Sequence, residues 1–191
     1  MSKGRLEAFS DGVLAIIITI MVLELAVPHE PTMEALLELW PIFLSYVVSF
    51  AYVGIYWNNH HHLFQAVHAI NGRVLWANLL LLFCLSLFPF GTAWMGETGF
   101  ASLPVATYGV ILLAAALAYY GLVRVLIRAQ PPEAPLAAAI GNDTKGKVSP
   151  LIYAIGIPVA FVAPWVSFAL YTIVALIWIV PDQRIERTIA R

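Results

Sequence analysis

Charged residues are scarce in this 191-residue sequence, which has 11% Asp, Glu, Lys and Arg together, against roughly 25% in soluble domains. Hydrophobic residues make up 61% of the chain and the mean hydropathy is +0.85. Ten basic residues nearly cancel eleven acidic ones, so there is no basic excess of the kind that binds nucleic acid. A single cysteine, Cys84, excludes an intrachain disulfide framework. The composition predicts a helical protein that crosses a membrane several times.

Sequence signatures of soluble enzymes are also missing. There is no glycine-rich dinucleotide loop, no Walker phosphate loop and no CxxC pair. An ionisable pair, Glu7 and Asp11, interrupts the apolar start of the chain, which argues against a cleaved signal peptide and predicts a retained first span. We therefore predict one transmembrane domain over residues 1–191, with no enzymatic activity and no cofactor.

Six stretches approach the length of about 20 apolar residues that crosses a bilayer. They are predicted at residues 8–27, 36–58, 74–95, 103–128, 148–163 and 166–181. Turn residues separate them, including Asn71-Gly72 before the third stretch. The last two are divided only by the break at Pro164.

The distribution of charge indicates an orientation for these six spans. All ten Lys and Arg residues fall on the side that holds both termini, and the opposite loops carry Glu30, Glu34 and Glu97. Because basic residues are retained on the cytoplasmic side, both termini are expected in the cytoplasm. The expected location is the cell (inner) membrane, with several spans per chain.

The first span joins a polar start to an apolar stripe. Arg5, Ser10 and Asp11 precede a run in which Ile16, Ile20 and Leu23 share one helical face, with Thr19 beside them. Ionisable groups at a membrane span usually face a protein interior or a water path. Two simpler interpretations stay open: the stripe is ordinary packing or lipid contact, and the polar residues only anchor the helix end.

Three adjacent histidines, His60, His61 and His62, end the second span. Neighbouring residues on a helix project about 100° apart, so the three cannot bind one metal ion together, and we predict no metal site. One or two of them are expected to hydrogen bond with polar groups on neighbouring spans. Asp11 and Asn78 are candidate partners at a similar depth.

Residues 5–11, with Arg5, Phe9, Ser10 and Asp11, resemble the RxxxFSD signature of the transmembrane protein 175 family of potassium channels in its single-repeat prokaryotic form. The resemblance extends over most of the chain. Its supporting features are Tyr56-Trp57-Asn58-Asn59-His60-His61, the segment from Asn78 to Trp94, and the six spans.

This resemblance implies a homotetramer with a central pore lined by the first helix of each subunit. It implies a constriction and selectivity determined by Ile16, Ile20 and Leu23, with a hydroxyl layer at Thr19, and no TVGYG-type filter. The permeant ligand would be potassium ions, through a leak-like channel in the lipid bilayer.

The resemblance also implies that the motif residues brace the first span against the second and third. Arg5, Phe9, Ser10 and Asp11 would do so with His60 and Asn78 as the favoured partners.

Other functions stay open from the residues alone. A small ion-coupled or proton-coupled transporter would use Asp11 and His60 as a titrating pair. A membrane enzyme or scaffold is a further alternative. The polar stretch 131–147 is expected to be a linker, with a regulatory loop as the other possibility.

Overall fold

The computed structural model describes residues 2–67, 69–130 and 144–179 of the chain. Every regular element in these ranges is an α-helix, which confirms the all-helical part of the predicted fold class. The helices are α1 (Lys3–Leu23), α2 (Met33–Glu38), α3 (Trp40–Gln65), α4 (Gly72–Ser86), α5 (Phe88–Glu97), α6 (Ser102–Ala129), α7 (Thr144–Val159) and α8 (Pro164–Ile179).

Within the described ranges, four helical stretches are long and apolar enough to cross a membrane. They are α1, α3, the α4–α5 pair and α6. Both α7 and α8 have 16 residues, a length of about 24 Å against a hydrocarbon core of about 30 Å. The protein is therefore a multi-pass membrane protein, and the count of six spans stays a prediction.

Several helix boundaries differ from the predicted ones. The first helix begins at Lys3 rather than residue 8, because Leu6 and Ser10 are buried and tertiary packing holds the first turns. The third predicted span is interrupted at Leu87, since Pro89 lacks the N–H that would continue the helix. The predicted break before Pro164 is present, and this proline begins α8.

The turn between α3 and α4 is fixed at both sides. Asn71 caps α4, with its side-chain oxygen 3.1 Å from the Val74 amide, as the turn signal at this position predicts. The side chain of Gln130, at the end of α6, donates to the Ala69 carbonyl at 3.1 Å and accepts from the Ala69 amide at 3.4 Å. The turn is thus attached to a helix far along the chain.

The turn between α5 and α6 uses an uncommon backbone conformation. Gly99 and Phe100 have φ values of 58° and 63°, in the left-handed region that non-glycine residues rarely adopt. The Phe100 ring is buried, with its centroid 4.4 Å from that of Trp165 and 4.6 Å from that of Phe168. Burial of this aromatic side chain offsets the backbone cost of about 1–2 kcal/mol.

The helices pack around α6, which contacts α4, α5, α7 and α8. On the other side of the chain, α1 packs against α3, α4 and α5. Close packing of α6, α7 and α8 depends on Gly109 and Gly156, where an added Cβ would overlap the ring of Tyr171 or its hydroxyl.

Candidate functional site

One face of α1 is fixed against the rest of the chain. Its buried residues recur at intervals of three and four: Leu6, Ser10, Leu14, Ile17 and Met21. This spacing is the helical period, so a single stripe of α1 contacts α3, α4 and α5.

The opposite face of α1 is uncovered in the single chain. Ile16, Ile20 and Leu23 have exposed fractions of 58%, 40% and 80%, and Phe9, closer to the start of the helix, is 53% exposed. These residues form a long apolar surface on the helix that carries the polar motif. An apolar surface of this size is expected to contact lipid or a second protein chain, or to border a narrow channel.

Thr19 lies on the exposed side of α1 next to these residues. Its hydroxyl donates to the Ile16 carbonyl at 2.8 Å, which leaves the oxygen able to accept a hydrogen bond or contact a cation. The structure therefore places all four residues of the expected constriction on the uncovered side of one helix.

A buried chain of hydrogen bonds connects α1 with α4 and α3. The Ser10 hydroxyl donates to the Leu6 carbonyl at 2.9 Å and accepts from the Asn78 amide nitrogen at 3.0 Å. The Asn78 side-chain oxygen lies 2.8 Å from His60 Nε2. Since an amide oxygen only accepts, this arrangement assigns the proton to Nε2. All three side chains are buried.

Asp11 takes part in a separate contact at the surface of the chain. Trp57 Nε1 donates to the Asp11 carboxylate at 3.0 Å, which joins α3 to α1. The Trp57 ring stacks on His61 with centroids 6.1 Å apart, and His61 Nε2 lies 2.8 Å from the Gln65 amide nitrogen. Because Asp11 follows Ser10 by 100° around the helix, the two side chains reach different partners.

The structure does not bring every predicted residue into these contacts. Arg5 is exposed and makes no hydrogen bond or ion pair within the described ranges. In the same ranges, Asp11 and His60 form no hydrogen bond with each other, because Trp57 and Asn78 are their respective partners. Asp11 and His60 therefore belong to two separate sets of contacts.

Sequence reasoning missed a second buried polar cluster. Ser49 of α3, Thr92 of α5 and Tyr108 of α6 meet through oxygen–oxygen distances of 2.7 Å (Thr92 to Ser49) and 2.8 Å (Ser49 to Tyr108). Thr92 Oγ1 also lies 3.9 Å from the Met21 sulfur on α1. The spacing of Ser45, Ser49 and Tyr52 along one face of an apolar helix was the signal that could have found it.

A metal site is absent from the residues that the structure describes, where no group of three or more His, Cys, Asp and Glu side chains is placed to hold an ion. The three adjacent histidines separate as their helical spacing predicts. His60 is buried beside Asn78, His61 is exposed, and His62 is half-buried.

These features define a class of protein: a multi-pass helical membrane protein whose first helix is held by buried polar contacts and presents an apolar face outward. The sequence profile of the family described as Endosomal/lysosomal potassium channel TMEM175 matches residues 5–89. A potassium channel of Chryseobacterium sp. (strain P1-3) is 54% identical over 189 residues, which cover 99% of this chain and 98% of that protein.

More distant relatives give the same assignment. A potassium channel of Streptomyces collinus is 33% identical over 185 residues, covering 91% of this chain and 90% of that protein. The crystal structure of a lysosomal potassium-selective channel TMEM175 homolog from Chamaesiphon minutus superimposes with a TM-score of 0.81. It is 31% identical and covers 94% of this chain and 97% of that one. The chain belongs to the TMEM175 family, so the predicted resemblance is confirmed, and membership in a family of ion channels confirms that it is not an enzyme.

Proposed function

We propose that this chain is the subunit of a potassium channel in which the exposed face of α1 lines the ion path. The observation that carries this proposal is the asymmetry of α1. Buried hydrogen bonds fix one face through Ser10 and Asn78, while Ile16, Ile20 and Leu23 point away from the subunit. The potassium channels to which the chain is similar over nearly its full length support the same function.

A single chain supplies one such helix, so a central path needs several copies around a symmetry axis. Closed point-group symmetry is the usual arrangement of soluble homo-oligomers, and we propose a cyclic homotetramer here. In it, the α1 helices of the subunits would place their uncovered faces toward the axis. The apolar surface would then border the ion path instead of lipid.

The constriction would consist of stacked rings of side chains. A rise of about 1.5 Å per residue separates the Ile16 and Ile20 rings by about 6 Å and the Ile16 and Leu23 rings by about 10 Å. Apolar rings of this kind control ion passage through their width and wetting. Thr19 would provide the hydroxyl layer between the first two rings. No TVGYG carbonyl filter occurs in the sequence, so selectivity would depend on these layers.

The motif residues would hold α1 in this orientation. Ser10, with Asn78 and His60, would fix its rotation from the buried side, and Asp11 would add the bond to Trp57 at the surface. Phe9 lies on the exposed face, which places it toward neighbouring subunits in the proposed tetramer. Arg5 would contribute beyond the single chain, since it has no polar partner among the described residues of its own subunit.

We further propose that residues 1–191 form one domain with six membrane spans per subunit. Both termini would lie in the cytoplasm, and the protein would be located in the inner membrane of the cell. In this topology α7 and α8 complete the count as short spans. The channel would need no cofactor, and potassium would be its permeant ligand.

The test is ion flux into liposomes that contain the purified protein, under a potassium gradient and then a sodium gradient. The wild type is expected to pass potassium faster than sodium, at a rate that does not saturate as a carrier would. Ile16→Asn should wet the constriction and reduce the difference between the two ions.

The matched control is Ile173→Asn, which changes an exposed isoleucine of α8 and should leave the flux ratio unchanged. An Ile16→Asn variant that keeps the wild-type ratio would contradict the assignment of the constriction. Slow, saturable flux in the wild type would favour a transporter.

A further inference from the structure

The C-terminal half of α1 rests on α5 through a buried side chain, that of Met21. This methionine is 2% exposed, and its sulfur lies 3.9 Å from Thr92 Oγ1 on α5. The free space beside it, between α1, α3 and α5, is only about 10 Å³, close to the least that one water molecule needs. Met21 therefore fills the gap between α1 and α5 almost completely.

Hydrogen bonds fix the side chain on which Met21 rests. The Thr92 hydroxyl donates to the Phe88 carbonyl, one turn earlier on α5, at 2.6 Å. Thr92 Oγ1 also lies 2.7 Å from Ser49 Oγ on α3, which is itself 2.8 Å from the Tyr108 hydroxyl on α6. These buried bonds hold Thr92 in one rotamer and connect α5 with two other helices.

Two glycines bring α5 close to the helices behind it. A Cβ added at Gly91 would lie 2.8 Å from Ile111 Cδ1 on α6, and one added at Gly96 would lie 2.9 Å from the Ile42 Cα on α3. The backbone of α5 is therefore already in close contact with α3 and α6, and it cannot move toward them. Closely packed interiors of this kind transmit strain instead of absorbing it.

Leu23 projects from the side of α1 opposite to Met21. The two residues are 200° apart around the helix, and Leu23 is 80% exposed. Because α5 is held from behind and the far side of α1 is uncovered in the single chain, a change in the size of residue 21 should move α1 and not α5. Leu23 would move with it, since both residues belong to the same helix.

We propose that Met21 is a spacer on Thr92 that determines the width of the constriction. Its side chain holds α1 at a fixed distance from α5, and this distance determines how far Ile20 and Leu23 reach toward the axis of the tetramer. Met21 does not touch the permeant ion and acts through these two residues, so it is a positioning residue. The inference rests on the proposed ion path along α1.

A series of side-chain sizes at residue 21 tests the spacer through ion flux into liposomes, under a potassium gradient and then a sodium gradient. Met21→Ala should let α1 approach α5, widen the constriction and lower the potassium-to-sodium flux ratio at least about threefold. Met21→Phe should push α1 toward the axis and reduce potassium flux at least about threefold. Met21→Leu, which nearly conserves volume, should match the wild type. A wild-type ratio in Met21→Ala, or potassium flux that falls in both Met21→Ala and Met21→Phe, would overturn the proposal.

Met95→Ala is the matched control for loss of a buried methionine. Met95 is 0% exposed and follows Gly91 by one turn on α5, on the face that packs against α6. Its loss should lower the free energy of unfolding in detergent about as much as Met21→Ala does and leave the flux ratio unchanged. An equal fall of the ratio in both variants would overturn the proposal, because general loosening of the bundle would then explain it.

The contact with Thr92 is tested by combining variants. Thr92→Ala should lower the flux ratio in the same direction as Met21→Ala, and the double variant should have nearly the ratio of Met21→Ala alone, because changes at one contact are not independent. Thr172→Ala on α8 also loses a hydroxyl bond to the carbonyl one turn earlier, at 2.9 Å, and should leave the ratio unchanged. Additive effects of Thr92→Ala and Met21→Ala would overturn the proposed contact.

The wild type and Ile16→Asn, measured beside these variants, separate the spacer from the proposed function. If Ile16→Asn lowers the flux ratio and the Met21 series does not change it, the ion path along α1 stands and the spacer is overturned. If the wild type passes potassium no faster than sodium, the proposed function fails and the spacer fails with it.

Discussion

The side-chain amide of Asn78 and the hydroxyl of Ser10 lie 3.0 Å apart and join α4 to α1 inside the chain. Because the Ser10 hydroxyl already donates to the Leu6 carbonyl, its oxygen accepts from Asn78. The Asn78 oxygen is then left for His60. This order of donors fixes α1 to two neighbouring helices, and the exposed stripe at Ile16 faces outward as a consequence.

Asn78→Leu should destabilise the subunit by about 1–2 kcal/mol, because it leaves Ser10 and His60 without their buried partner. The measurement is the free energy of unfolding of the purified protein in detergent. Asn58→Leu is the matched control, since Asn58 is half-buried and makes no hydrogen bond within the described ranges. Equal stability of the two variants would contradict the importance of the Asn78 contacts.

Gly109→Ala should reduce stability by about 1–3 kcal/mol, since the added Cβ would overlap the hydroxyl of Tyr171 in the packed region between α6 and α8. Gly121→Ala, on the same helix with no atom near the new Cβ, should stabilise the protein by about 0.5–1 kcal/mol through helix propensity. Thermal unfolding of both variants provides the comparison. Similar shifts for the two would show that the packing at Tyr171 is not tight.

Thr92→Val should cost about 1 kcal/mol, because it keeps the shape of the side chain and removes its hydrogen bonds to Ser49 and the Phe88 carbonyl. The control is Thr107→Val on α6, where the half-buried threonine has no side-chain hydrogen bond within the described ranges. Urea unfolding in detergent should separate the two variants. An effect of Thr107→Val as large as that of Thr92→Val would argue against a specific role for the buried cluster.

The long apolar helices could be predicted from the sequence because runs of apolar residues indicate a membrane span and turn residues mark its ends. Asn71 and Pro164 act through local backbone chemistry, so the helices beside them, which begin at Gly72 and Pro164, start within two residues of the predicted spans at 74 and 166. The short helix α2 was not predicted, since six residues give no clear periodicity. The predicted span 74–95 did not include the interruption at Leu87, because the sequence does not show how far a proline such as Pro89 separates two helical segments.

The residues of the candidate site could be predicted from the sequence, but most of the contacts between them could not. The apolar stripe of α1 follows from helical spacing alone. Whether His60 bonds to Asp11 or to Asn78 depends on the rotation of α3 against α1 and α4, which is a property of tertiary packing. For the same reason, the polar face of α3 at Ser49 could be found in the sequence, whereas its partners Thr92 and Tyr108 could not.

The central claim is that the exposed face of α1 borders the ion path, and cadmium block of a Leu23→Cys variant tests it most directly. In a Cys84→Ala background, several cysteines around one axis would bind Cd²⁺ through soft thiolate ligands. We expect Cd²⁺ to stop potassium flux into liposomes in Leu23→Cys and a chelator to restore it. Ile17→Cys, on the buried face of α1, should be insensitive. A Leu23→Cys variant that conducts potassium and ignores Cd²⁺ would contradict the claim and place this face of α1 against lipid.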